Sequence, residues 1–96
     1  GPVKAALEAS VRYMAAELGP KGVRVYALSP GPVATRAAAG IDRFDDLMEA
    51  AAARAPRQAL VSIEQIGSVA AFLASSAAEG MTGDRIYIDN GFNIVG

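Results

Sequence analysis

The chain has no cysteine and no histidine. Thiolate and imidazole chemistry, zinc sites of the usual kind and any disulfide framework are therefore excluded, so no metal is expected. A cysteine-free chain fits a reducing cytoplasm. Neither sign of charge dominates: nine Lys and Arg stand against ten Asp and Glu, for a net charge of −1. No basic block occurs, which argues against nucleic acid as a partner. The longest purely apolar run falls far short of the roughly 20 residues that a membrane helix needs. No signal peptide is readable at the start, and no membrane association is expected.

What is present is apolar. The 96 residues are 52% hydrophobic, with a mean hydropathy of +0.26. A domain this small buries only about 60–65% of its unfolded surface, so apolar surface should remain exposed. Together with the lack of an initiator Met, this points to one part of a larger domain with missing partners.

Local signals divide the chain into helices and strands. Val3–Leu18 is dense in Ala, Leu, Glu and Met and is stopped by Gly19-Pro20, which predicts a helix. Its bulky stripe is Leu7, Val11, Met14 and Leu18, and its many alanines allow a second backbone to approach closely. Val23–Leu28 reads as a short buried strand that Ser29, Pro30, Gly31 and Pro32 terminate, because proline cannot donate to a ladder. Arg43–Ala55 is a second helix, with Asp42 as N-cap and Phe44, Leu47, Met48 and Ala51 on one face. A third runs over Ile63–Ser75, opened by a Ser62/Gln65 capping box with Val61 and Ile66 as a hydrophobic staple. Its expected core stripe is Ile63, Ile66, Val69, Ala70 and Leu73. A last strand, Arg85–Asp89, leads to the turn Asn90-Gly91. Strands separated by helices predict an α/β fold with a parallel pair joined by a crossover.

Few residues are candidates for chemistry. Lys4, in the first turn of the first helix, is either a solvated lysine or a fixed ammonium that binds a ligand hydroxyl and lowers a neighbouring phenol's pKa. Ser29–Thr35 is either an ordinary turn or a rigid ligand wall, since ligands of open α/β sheets lie beyond the carboxyl ends of the strands. Thr35 offers a hydroxyl, and Arg36 is an anion partner or simply solvated. Tyr13, Tyr26 and Tyr87 have better structural accounts than catalytic ones, on a helix and within strands. No Gly-x-Gly-x-x-Gly or Walker-type loop occurs, so the sequence holds no pyrophosphate cradle.

Several segments match one family in order and spacing: GPVKAALEASVRYMAAELGPKGVRV, ALSPGPVATRAAAGI, FDDLME, SIEQIGSVAAFLAS and MTGDRIYIDNGF. Together they resemble the C-terminal part of a short-chain dehydrogenase/reductase, and the resemblance covers essentially the whole chain. The run Gly31-Pro32-Val33-Ala34-Thr35-Arg36-Ala37-Ala38-Ala39-Gly40-Ile41 is similar to the substrate loop of bacterial enoyl-[acyl-carrier-protein] reductases of fatty-acid synthesis. The resemblance implies the C-terminal portion of a Rossmann-type doubly wound parallel sheet, here with two strands and three to four helices in one segment, 1–96, and a substrate-loop helix near 36–56. It implies that Lys4 is the family's active-site lysine, which holds the nicotinamide ribose and helps to polarise a catalytic tyrosine. Pro30, Gly31, Pro32, Val33 and Thr35 then flank the nicotinamide, and Ala37, Ala38, Phe44 and Met48 line the acyl pocket.

In that family a hydride passes from NADH or NADPH to the β-carbon of a trans-2-enoyl thioester carried by acyl-carrier protein. Tyrosine stabilises the enolate oxygen, and the α-carbon is then protonated. The family's tyrosine precedes its lysine in a Tyr-x6-Lys spacing, which falls before residue 1, and Tyr13 lies on the wrong side of Lys4. Tyr26 stands where the family has Asn, and Asn90 where it has Gly. The expectation is a segment inactive alone, from a cytoplasmic, homotetrameric enzyme. Two other readings are a different short-chain dehydrogenase acting on 3-oxoacyl or alcohol substrates, and a non-catalytic oligomerisation module.

Overall fold

The structure, a computed structural model, describes residues 2–33 and 42–95, with side chains from Val3 to Val33 and from Asp46 to Val95. Thr35, Ala37 and Ala38 lie outside the described residues, as does the side chain of Phe44. Among the described residues there are three α-helices: α1 over Pro2–Leu18, α2 over Asp42–Arg54 and α3 over Ile63–Ala74. Two strands, β1 over Ala27–Pro30 and β2 over Arg85–Ile88, form a two-stranded parallel sheet. The connection between them contains α2 and α3, the crossover that a parallel pair requires.

The chain divides into two compact units, Gly1–Leu28 with Ala70–Ile86, and Ser29–Val69 with Tyr87–Gly96. In the first, α1 ends at Leu18 in a 3-10 turn, Gly19–Lys21, and Gly22 adopts a φ of +78° that L-residues disfavour. Only Val11 of the expected α1 stripe is buried, and Ala15 joins it, while Leu7 and Met14 are exposed. A Cβ built on Gly83 would lie 3.4 Å from that of Ala15, so the small residues of α1 do admit a close backbone.

The first strand begins later than its β-branched content predicts. Val25 donates its N–H to Thr82 Oγ1 at 3.0 Å and accepts the Gly83 N–H at 2.8 Å, so loop groups satisfy it instead of a ladder. Pairing starts where the Ala27 N–H reaches Asp84 O at 3.0 Å and continues to the Gly31 N–H on Ile88 O at 3.1 Å. Ser29 and Pro30 thus belong to the strand, and Tyr26 does not. The Tyr26 hydroxyl instead donates to Met81 O and accepts from Arg24 at 3.0 Å. Arg24 also donates to Leu73 O at 2.9 Å and Ser75 O at 3.2 Å, capping the carbonyl end of α3 where a cation is favoured.

In the second unit α3 starts as its sequence dictates. The Gln65 N–H donates to Ser62 Oγ at 3.1 Å, and the Ser62 N–H donates to Gln65 Oε1 at 2.9 Å. Ile63 and Ala70, assigned to the core stripe of α3 by periodicity, are exposed; Leu73 is buried and Ile66 and Val69 are half-buried. On α2 the inward face is Met48, Ala51 and Ala52, followed by buried Ala55, whereas Leu47 is exposed. Met48 and Ala51 thus keep the expected face, while Ala52 and Ala55 lie on it and Leu47 does not.

Candidate functional site

The turn at the end of β1 is fixed from two directions within the second unit. On one side the Gly31 N–H bonds Ile88 O, and Gly31 lies against Asp89 so closely that a Cβ there would fall 2.6 Å from Asp89 Cβ. On the other, the Val61 N–H donates to Pro32 O at 3.2 Å, and Val33 pairs with Val61 in a parallel bridge. Val61 is fully buried. Pro30 is exposed, while Gly31, Pro32 and Val33 are half-buried. The two prolines contribute no N–H and fix their own φ, so the turn presents a stiff edge at little further entropic cost.

Asp89 supports the same place. It is the one polar residue buried among the described residues, and its carboxylate accepts the Gly91 N–H at 3.0 Å and the Asn93 N–H at 2.8 Å. Those bonds satisfy both oxygens and fold the chain after β2 into a 3-10 turn over Phe92–Ile94. The exit from α2 meets this turn. The Arg54 guanidinium lies 5.5 Å from the centroid of the Phe92 ring, a cation–π distance. Arg57 donates its backbone N–H to Asn90 O at 3.2 Å and its Nη1 to Asn90 Oδ1 at 3.1 Å. A cleft of about 430 Å³ opens beside these groups, between Arg57, Gln65, Ser68, Tyr87 and Asn90.

The candidate residues fall as follows. Pro30, Gly31, Pro32 and Val33 share this turn, and Met48 sits half-buried on α2 of the same unit. Lys4 is exposed in the first turn of α1, in the other unit. In that unit Glu8 of α1 pairs with Arg85 of β2. The Arg85 hydrogen bond lowers the Glu8 carboxyl pKa; burial opposes it, and the charges of Arg85 and Arg12 add to the lowering. Among the described residues no cluster of acidic, Cys or His side chains is placed to hold a metal, and no helix is long and apolar enough to cross a membrane.

Residue-by-residue reading took Val61 only as a staple for α3 and missed Arg57 and Arg24, because their roles lie in contacts far along the chain. Asp89 had a signal, the Thr82-Gly83-x-x-x-x-x-Asp89 run, though not one that revealed its buried carboxylate.

Comparison with known proteins places this arrangement in context. The family model described as Enoyl-(Acyl carrier protein) reductase matches residues 1–93. The Escherichia coli enoyl-[acyl-carrier-protein] reductase [NADH] FabI is 47% identical over 94 residues, 98% of this chain and 36% of the relative. The Bacillus cereus protein of the same name is 43% identical over 96 residues, all of this chain and 38% of the relative. A crystal structure of the Bacillus cereus enoyl-acyl carrier protein reductase, with NADP+ and indole naphthyridinone, superposes with a TM-score of 0.84 at 43% identity, covering 100% of this chain and 37% of that one. The Anaplasma phagocytophilum reductase, solved with NAD, gives a TM-score of 0.84 at 39% identity, covering 97% and 36%. The fold is thus the Rossmann type of these reductases. The chain spans just over a third of the length of the curated relatives it matches.

Proposed function

The chain belongs to the enoyl-(acyl carrier protein) reductase family, and from that premise we propose that it is the C-terminal segment of a single Rossmann-type domain in a longer, NAD(P)H-dependent reductase of trans-2-enoyl thioesters. The observation that carries this reading is the Pro30–Val33 turn, anchored on Ile88 and Val61 while its Pro30 edge stays exposed. Support for the cofactor comes from the relatives: the Escherichia coli protein is named for NADH, and the two solved neighbours hold NADP+ and NAD.

The residues present fit one end of a dinucleotide. The stiff turn of Pro30, Gly31, Pro32 and Val33 suits the flat nicotinamide edge, Thr35 adds a hydroxyl for the carboxamide, and the exposed Lys4 ammonium suits the ribose hydroxyls. The sequence has no phosphate cradle, so the remaining dinucleotide contacts belong to other parts of the parent. When bound, the dinucleotide supplies a hydride. The work of this chain is then to orient the nicotinamide ring through the turn and, through Lys4, to keep a catalytic phenol of the parent acidic. Ala37, Ala38, Phe44 and Met48, within a substrate-loop helix near 36–56, line the acyl pocket for an enoyl group carried by acyl-carrier protein. The half-buried Met48 on α2 supports that role.

The parent is homotetrameric and cytoplasmic on this reading. The apolar residues left exposed on α1, Val3, Leu7, Tyr13 and Met14, support an assembly face there. The test is oxidation of NADH and NADPH by the intact parent, with enoyl and 3-oxoacyl thioesters side by side. Enoyl-dependent turnover is expected, with Lys4→Ala lowering kcat/KM by about a hundredfold or more. Preference for the oxoacyl thioester, or an unaffected Lys4→Ala enzyme, would refute the assignment.

A further inference from the structure

The segment that carries Val61 to the candidate turn has little regular structure of its own. Between the end of α2 and Val61 the chain runs through Ala55–Leu60, with Gln58 at a φ of +53°. One side chain reaches into this stretch twice. Asn90 accepts from Arg57 Nη1 at 3.1 Å through Oδ1 and donates from Nδ2 to Ala59 O at 2.9 Å. Its own carbonyl takes the Arg57 backbone N–H. The orientation of the amide is fixed by its partners, since a guanidinium only donates and a carbonyl only accepts. Two residues beyond Ala59, Val61 bonds Pro32 O and pairs with Val33.

Asn90 itself stands at a φ of +54°, a conformation that glycine adopts freely and asparagine tolerates. Glycine would satisfy the backbone equally well. It would also keep the carbonyl bond to Arg57 and lose both side-chain bonds. The asparagine therefore adds a clamp that the turn conformation does not require.

We propose, resting on the reading of Pro30–Val33 as a cofactor wall, that Asn90 is a positioning residue: its amide clamps Arg57–Ala59, thereby sets Val61, and through Val61 holds the Pro32–Val33 edge against which the nicotinamide is oriented. The clamp couples the turn after β2 to the wall.

The test uses the intact parent reductase and the variants Asn90→Gly and Asn90→Asp. Asn90→Gly preserves the positive φ, so it isolates the side-chain bonds from backbone strain. Amide hydrogen exchange at Val61 and the KM for the reduced dinucleotide are each expected to rise about fivefold to thirtyfold in Asn90→Gly, the ratio that losing one to two net hydrogen bonds produces, with kcat little changed. Asn90→Asp keeps the acceptor for Arg57 but loses the donor to Ala59, and should fall between. A merely structural residue would lower Tm and leave KM where it was. Unchanged exchange at Val61 in Asn90→Gly, or a KM equal to that of the unsubstituted enzyme, would overturn the clamp. If the unsubstituted parent oxidises no reduced dinucleotide, the functional reading fails, while exchange at Val61 still decides whether Asn90 holds the segment.

Discussion

Replacing Gly31 with Ala should damage the chain far more than one methyl group suggests. The added Cβ would fall 2.6 Å from Asp89 Cβ and 3.0 Å from Asp89 Cα. Carbon atoms pack comfortably at about 3.5–4.0 Å, so roughly 1 Å of separation must open between the end of β1 and the residue after β2. Asp89 cannot yield cheaply. Its carboxylate is tied to the Gly91 and Asn93 N–H groups, and the clash reaches its backbone atom as well as its side chain. The cost should therefore lie in the upper part of the overpacking range, about 2–3 kcal/mol. In a parent about three times this length that lowers Tm by roughly 4–12 °C. The control is Gly67→Ala in α3, where the new Cβ would meet nothing within 4 Å. Removing the backbone freedom of an exposed helical glycine should stabilise by about 0.5–1 kcal/mol. Thermal unfolding followed by circular dichroism, at one protein concentration because association shifts Tm, compares the two. If Gly31→Ala melts within a few degrees of Gly67→Ala, the close approach of Gly31 to Asp89 does not exist in solution.

Two further outcomes follow from single interactions. Ser62→Ala removes the side-chain acceptor for the Gln65 N–H and should cost about 1 kcal/mol, while Ser62→Asp retains an acceptor and should restore most of it, both read from urea midpoints. The Glu8 carboxyl is held below its ordinary value of 4.5 in the folded chain, so its contribution is fully present above that pH and is lost as pH falls through the depressed folded value. The difference in stability between the unsubstituted chain and Glu8→Gln should accordingly be flat above about pH 5 and shrink in more acid solution. A gap that grows on acidification would contradict the pairing with Arg85.

Much of the local structure was legible in residue order. The capping box of α3 forms between Ser62 and Gln65 as their spacing requires, and Gly19-Pro20 ends α1 where a glycine and a proline should. The positive φ at Asn90 likewise follows from a residue type that tolerates it. The candidate site was legible only by resemblance. The resemblance named Lys4, Pro30, Gly31, Pro32 and Val33 as site residues, whereas composition alone pointed to a solvated lysine and an ordinary turn. The strand boundary was misplaced: β-branched Val23 and Val25 suggested a strand, but the Val23 N–H bonds Leu18 O and the backbone of Val25 bonds Thr82 and Gly83 of a loop.

Sequence by itself determined the features set by neighbours three or four positions apart: where helices start and stop, which residues accept a left-handed backbone, and which family the motifs belong to. Their physics is short-ranged, and hydrogen bonds within one helical turn need no distant partner. Tertiary structure alone decided that β1 runs over Ala27–Pro30, that Arg24 caps the carbonyl end of α3, and that Val61 and Asp89 brace the Pro-Gly-Pro turn. Each of those depends on groups brought together from remote parts of the chain. A strand ladder and a buried carboxylate acquire their energy only once those partners are desolvated and in place.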